Sequence, residues 1–284
     1  MKDKYNFKKN DSSSIAWWCF WPGLVYLGIS LVIGAIFGIF YGVYLGMNGI
    51  IEFEDIMSEL AKVIMPVNIV TQVLGVAVYL PVFLHMKKKA LPKVTKKVKW
   101  STWIWSLLFF LGISVLSDQI IQLISKVFFS EGSSLDMITE MIMGGSLWAA
   151  IISTVIMAPF MEELMVRGLS LNKLLSGTDT KKAIIISAVI FGVIHLNLLQ
   201  GLNAFVLGII LAMIYIKTRS IILCMVCHAA NNLLACVSSY WIMNEVANAV
   251  MMNNIINVAL LLLGVVGGYF YFKSEDAVIE KNES

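Results

Sequence analysis

The sequence predicts an all-α, polytopic integral membrane protein. It has about eight transmembrane helices, both termini in the cytoplasm, and a single membrane domain over residues 1–284. Three observations carry this. Apolar residues make up 59% of the 284 and charged residues only 14%, with mean hydropathy +0.83, outside the balance of a soluble domain. The apolar residues fall into long runs, and about 20 such residues cross a bilayer. The basic residues collect in alternate connections between the runs.

The predicted spans are 23–46, 63–85, 101–127, 146–170, 183–199, 202–216, 220–240 and 252–272, the sixth being the short one. Trp17, Trp18 and Trp21 precede the first, and Trp100, Trp103 and Trp105 open the third, as in aromatic belts. Segments 50–62 and 131–143 alternate apolar and acidic residues and are expected to lie as short interfacial helices on the outer side. Pro159 lies in the fourth span, three residues before Glu162. It predicts a kink whose freed carbonyls need protein or water, hence a cavity. Pro22 is the other proline placed to bend a span.

Charge placement supports an even number of crossings. Eighteen of the 21 basic residues fall at the termini or in the connections that this count puts inside, seven of them in the run KKKALPKVTKKVK at 87–99. The remaining three are Lys62, Lys126 and Arg167. The outer connections carry Glu52, Glu54, Asp55, Glu59, Glu131, Asp136, Glu140 and Glu245 instead. The net charge of +3 is thereby explained by topology. The lysine run is expected to meet anionic lipid rather than nucleic acid.

The basic start leads into a run too long for a signal core, so the N-terminus is expected to remain as an uncleaved tail. Cys224 and Cys227 beside His228 lack the further ligands of a zinc knuckle, and they read as small apolar helix residues. No disulfide is implied. Gly264, Gly267 and Gly268 permit close helix contacts without specifying a partner.

The informative residues are the polar ones inside the runs. A charge at a helix centre costs roughly 2.5–3.5 kcal/mol on insertion scales, so membrane proteins that carry several tend to use them. Glu163 and Arg167 are four apart and share a helix face, which predicts a buried ion pair. Glu162 points about 100° away and gains no partner from its own turn, which suits a general base. Phe191-x-x-x-His195 and His228-x-x-x-Asn232 each place two side chains on one face. Such histidines and amides are often interhelical hydrogen-bonders; His228 with Asn232 would also make a donor pair for an oxyanion. At 1.5 Å per residue, Glu162 lies about 24 Å below the outer start of its span, and His195 and His228 about 18 and 12 Å from the inner ends of theirs. These depths permit one site between the midplane and the cytosol, opening towards the cell interior.

Glu162-Glu163-x-x-x-Arg167, Phe191-x-x-x-His195 and His228-x-x-x-Asn232 resemble, in order, the three motifs of the CPBP intramembrane proteases. This group includes the type II CAAX prenyl endopeptidases and bacterial relatives linked to bacteriocin immunity and peptide maturation. The resemblance covers roughly 146–240, taken as the catalytic core. It implies that Glu162 activates a water that His195 helps hold, that His228 and Asn232 stabilise the oxyanion, and that Glu163, Arg167 and Phe191 support them. The family is commonly labelled metalloprotease, yet His-Glu-x-x-His is missing. No cofactor is required on this reading; if zinc is used, Glu162, His195 and His228 are its ligands.

The implied substrate is a membrane-associated peptide or protein, such as a leader peptide, pheromone precursor or bacteriocin. The implied setting is membrane lipid, in the multi-pass plasma membrane of a bacterium. The sequence leaves the oligomeric state open. Two rival readings stand beside the protease: a non-catalytic bacteriocin-immunity or scaffold protein, and an ion-coupled transporter using Glu162, Glu163 and Asp118.

Overall fold

The computed structural model describes residues 12–128, 142 and 144–279. It is an all-α membrane fold. The helices are α1 (Ser12–Met47), α2 (Phe53–Lys89), α3 (Trp100–Phe128), α4 (Leu147–Leu175), α5 (Thr180–Val193), α6 (Leu198–Thr218), α7 (Ile221–Met243) and α8 (Ala249–Lys273). All but α5 are long and apolar enough to cross a membrane. In hydrocarbon the backbone must satisfy its own hydrogen bonds, which is why apolar runs of this length become helices.

Three expectations need correction. The fifth predicted span, 183–199, is a helix of 14 residues, about 21 Å long against a hydrocarbon core of about 30 Å. It ends at Val193, and a turn containing Leu196 at φ 54° leads straight into α6. Gly192 and Gly201 allow the two helices to meet, because a Cβ on either would sit 2.8 Å from the other's carbonyl oxygen. The short member of this pair is therefore the fifth helix, and α6 has 21 residues. Segment 50–62 is no separate interfacial helix, since α2 runs unbroken from Phe53. Segment 131–143 lies outside the described residues except for Ile142.

The lysine-bearing connections gather at one end. Strand β1 (Val94–Lys96) pairs antiparallel with β2 (Val278–Ile279). Lys96 meets Glu275 at 3.0 Å, and Lys217 meets Asp276 at 3.0 Å. The hydrogen bond from Lys96 and the nearby Lys99 charge hold the Glu275 carboxyl below its usual range. Ser170 Oγ donates to Trp18 O at 3.2 Å, tying the start of α1 to the same end. Trp18 stands four residues before Pro22, whose missing N–H leaves that carbonyl without its helical donor.

Helix α8 packs on α3 through glycines. A Cβ on Gly264 would lie 2.5 Å from Gly112 Cα, and one on Gly267 would lie 2.7 Å from Phe109 N. The glycine face of α8 thus has its partner within this chain. Gly264→Ala is expected to lower stability by about 1–3 kcal/mol, the usual range for overpacking, because backbone cannot yield as a side chain can. Thermal unfolding in detergent measures it.

Candidate functional site

Helix α4 is irregular close to Glu162 and Glu163. Residues Ile151–Met157 follow wide π-helical turns, with Ala158 N–H donating to Ser153 O five residues back. In that register the next donor would be residue 159, a proline with no N–H. The carbonyl of Thr154 is thereby orphaned, and Asn232 Nδ2 on α7 donates to it at 2.8 Å. The kink expected at Pro159 is thus a change of helical register, repaired by a motif residue. Asn232→Ala should leave Thr154 O unsatisfied and cost about 1–3 kcal/mol, read as a lower melting temperature than that of wild type.

Beyond Pro159 a short α-helical stretch, Ala158–Glu163, carries both glutamates. Glu163 and Arg167 are fully buried and form the expected ion pair at 2.9 Å. Arg167 also donates to Gly208 O at 3.1 Å and lies over the Phe191 ring, 4.5 Å from its centroid. Glu163 Oε1 stands 3.1 Å from His228 Nδ1. A carboxylate can only accept, so Nδ1 carries the hydrogen and Nε2 is turned the other way. Nε2 lies 3.8 Å from Glu162 Oε2, which is buried with no hydrogen-bond partner. A gap of that size between two polar atoms is the span a bridging water fills.

His195 was expected within a span; it sits instead in the turn that follows α5. Its Nδ1 is 2.7 Å from Phe191 O, so that nitrogen donates and Nε2 is left for the cavity. The Phe191 ring stands edge-on to both histidines, with centroids 5.2 Å from His195 and 5.5 Å from His228. Glu162, His195, His228 and Asn232 all line one cavity of about 380 Å³. Glu163, Arg167 and Phe191 lie behind it.

The cavity has a direction along the helices. From Glu162 it follows Ala158 and Thr154 on α4, Asn232, Cys236 and Ser239 on α7, and Gln72, Asn68 and Met65 on α2. These runs all lead away from the lysine-bearing end. Sequence reasoning also missed the α2 wall. Asn68 Nδ2 donates to Ser153 Oγ at 3.2 Å, and Ser153 Oγ to Gln72 Oε1 at 3.3 Å. Asn68 and Gln72 repeat, inside an apolar run, the four-residue spacing that singled out His228 and Asn232; the same test applied to the second span finds them. Tyr26 of α1 completes this side.

Asp118 does not join the glutamates. It accepts from Asn203 Nδ2 at 2.5 Å, and Ser117 Oγ donates to Asn203 Oδ1 at 2.5 Å. The four cysteines are free and buried. Among the described residues no three His, Cys, Asp or Glu side chains gather closely enough to hold a metal ion. No step below is routed through a metal.

Residues 143–234, about a third of the chain, match the family described as Type II CAAX prenyl endopeptidase Rce1-like. No curated protein and no solved structure gives a match. The matched segment contains every residue of the three motifs, with both glutamates on α4 and His228 and Asn232 on α7. Over that segment this multi-pass chain is similar to the Rce1-like type II CAAX prenyl endopeptidases, the family that its motifs resemble.

Proposed function

We propose that the protein is an intramembrane endopeptidase that hydrolyses peptide bonds of membrane-associated proteins or peptides with water activated by Glu162. The observation that carries this reading is the unpartnered Oε2 of Glu162, facing His228 Nε2 across 3.8 Å on the wall of a cavity. Glu162 takes a proton from water as the oxygen attacks the carbonyl carbon, and later passes it to the leaving amine as the C–N bond breaks. His195, its Nδ1–H fixed on Phe191 O, turns Nε2 to the water. His228 in its protonated form offers Nε2–H to the oxyanion, while Glu163 and Arg167 hold the ring. Asn232 has one amide hydrogen on Thr154 O and a second for the same oxyanion.

The test compares membranes containing wild type, Glu162→Gln or His195→Ala by mass spectrometry of new peptide termini. Both variants should lose cleavage while the protein persists at its normal level. Retained cleavage in either removes this mechanism, and an immunity or scaffold role predicts an unchanged phenotype in both. Cleavage should survive treatment of the membranes with a chelator, because the acid–base work is assigned to Glu162 and the histidines; loss that added zinc restores would overturn the metal-free version.

A further inference from the structure

We infer that the substrate reaches Glu162 from the membrane face opposite the lysine-rich connections, so that the enzyme cuts segments already on the extracytoplasmic side and not prenylated cytosolic C-termini. The inference rests on the protease reading and adds a direction of access and a substrate class to it.

Two observations on opposite sides of Glu162 agree. Towards the lysine end the site is closed by packed apolar side chains: Phe83 from α2, Leu164, Met165 and Leu169 from α4, and Phe191 from α5 form one buried cluster. Gly168 belongs to this layer, and a Cβ there would lie 3.1 Å from the Phe83 ring. In the other direction the cavity continues along α7 from His228 to Ser239, about 16 Å at helical rise. Thr154 and Cys236 line this stretch, 3.2 Å apart.

Among the described residues, 13 of the 16 basic ones belong to the closed end, and the positive-inside bias makes that end cytoplasmic. A prenyl-modified C-terminus made in the cytosol would have to pass the apolar layer to reach Glu162. The cavity wall also carries groups suited to a peptide. The carboxamides of Asn68, Gln72 and Asn232 offer donors and acceptors that match peptide N–H and C=O groups. The reaction that supplies such a substrate is therefore a membrane export or insertion step, which carries the scissile segment across first.

The test uses the full chain in cells and a membrane-impermeant thiol reagent, 2-sulfonatoethyl methanethiosulfonate. A cysteine is placed at Ser239 in a Cys236→Ala background, with Ala235→Cys as a second position and Lys93→Cys as the marker of the opposite end. In intact cells Ser239→Cys should be modified and Lys93→Cys spared, with the pattern reversed in inside-out vesicles. Termini that depend on Glu162 should map to outward-facing segments. Modification of Ser239→Cys only from the cytoplasmic side would overturn the inference, as would termini confined to cytosolic C-termini. Absence of any termini dependent on Glu162 would instead sink the protease reading, and the labelling arm would still decide the side of access.

Discussion

Glu162→Gln should reduce peptide cleavage by roughly 10²–10⁴-fold, the range that a positioned general base supplies, with little change in thermal unfolding. The two halves of this expectation have one cause. Glu162 Oε2 makes no hydrogen bond, so replacing the carboxylate with a carboxamide of the same shape breaks no hydrogen bond at that oxygen. It removes the capacity to accept a proton from water. Quantified new termini and melting curves on the same preparations check both halves. A glutamine variant that cleaves at the wild-type rate would end the assignment of Glu162 as base.

Arg167→Met should behave in the opposite way, destabilising the protein by about 3–5 kcal/mol, as expected when one partner of a buried ion pair is removed. Glu163 is fully buried, and without the guanidinium its charge would be left facing only His228. Arg167 also spans from α4 to the Gly208 carbonyl of α6 and to the Phe191 ring, so its loss loosens three helices at once. The double variant Glu163→Gln with Arg167→Met leaves no uncompensated charge and should recover much of the loss. A double-mutant cycle in unfolding free energy gives the coupling. Additive effects would mean that the pair is not a unit.

The two glutamates, adjacent in sequence, thus divide the work. Glu163 is turned into the core, where it holds Arg167 and His228. Glu162 lines the cavity, its Oε2 without a hydrogen-bond partner. The 100° between successive helix positions is enough to put one carboxylate in the core and its neighbour on the cavity wall.

Much of this was legible without coordinates, for physical reasons that differ from feature to feature. The membrane-spanning helices follow from apolar length alone, because lipid offers the backbone no other partner. The Glu163–Arg167 pair follows from helical spacing. The proline at 159 announced a disturbance, since a residue without an N–H must leave a carbonyl unpaired. The identity of the group that repairs it was not legible. Asn232 lies 78 residues away from Thr154, and nothing local in either segment connects them.

The end of the fifth helix and the course of the cavity were not legible for a related reason. Hydropathy does not distinguish a run that crosses the membrane from one that turns back at Val193, because the turn depends on the close approach of Gly192 to Gly201. Depth arithmetic places Glu162 between two membrane faces but cannot say which face its surroundings seal. The sequence by itself determined the membrane class, the alternation of basic and acidic connections and the residue types available for hydrolysis, since these depend on composition and on spacing along one helix. Only the tertiary structure decided that Phe83, Leu169 and Phe191 close one side of the site while Asn68, Gln72 and Ser239 line the other. That division depends on how α2, α4, α5 and α7 pack, and packing between distant segments is fixed by shape complementarity that no single segment encodes.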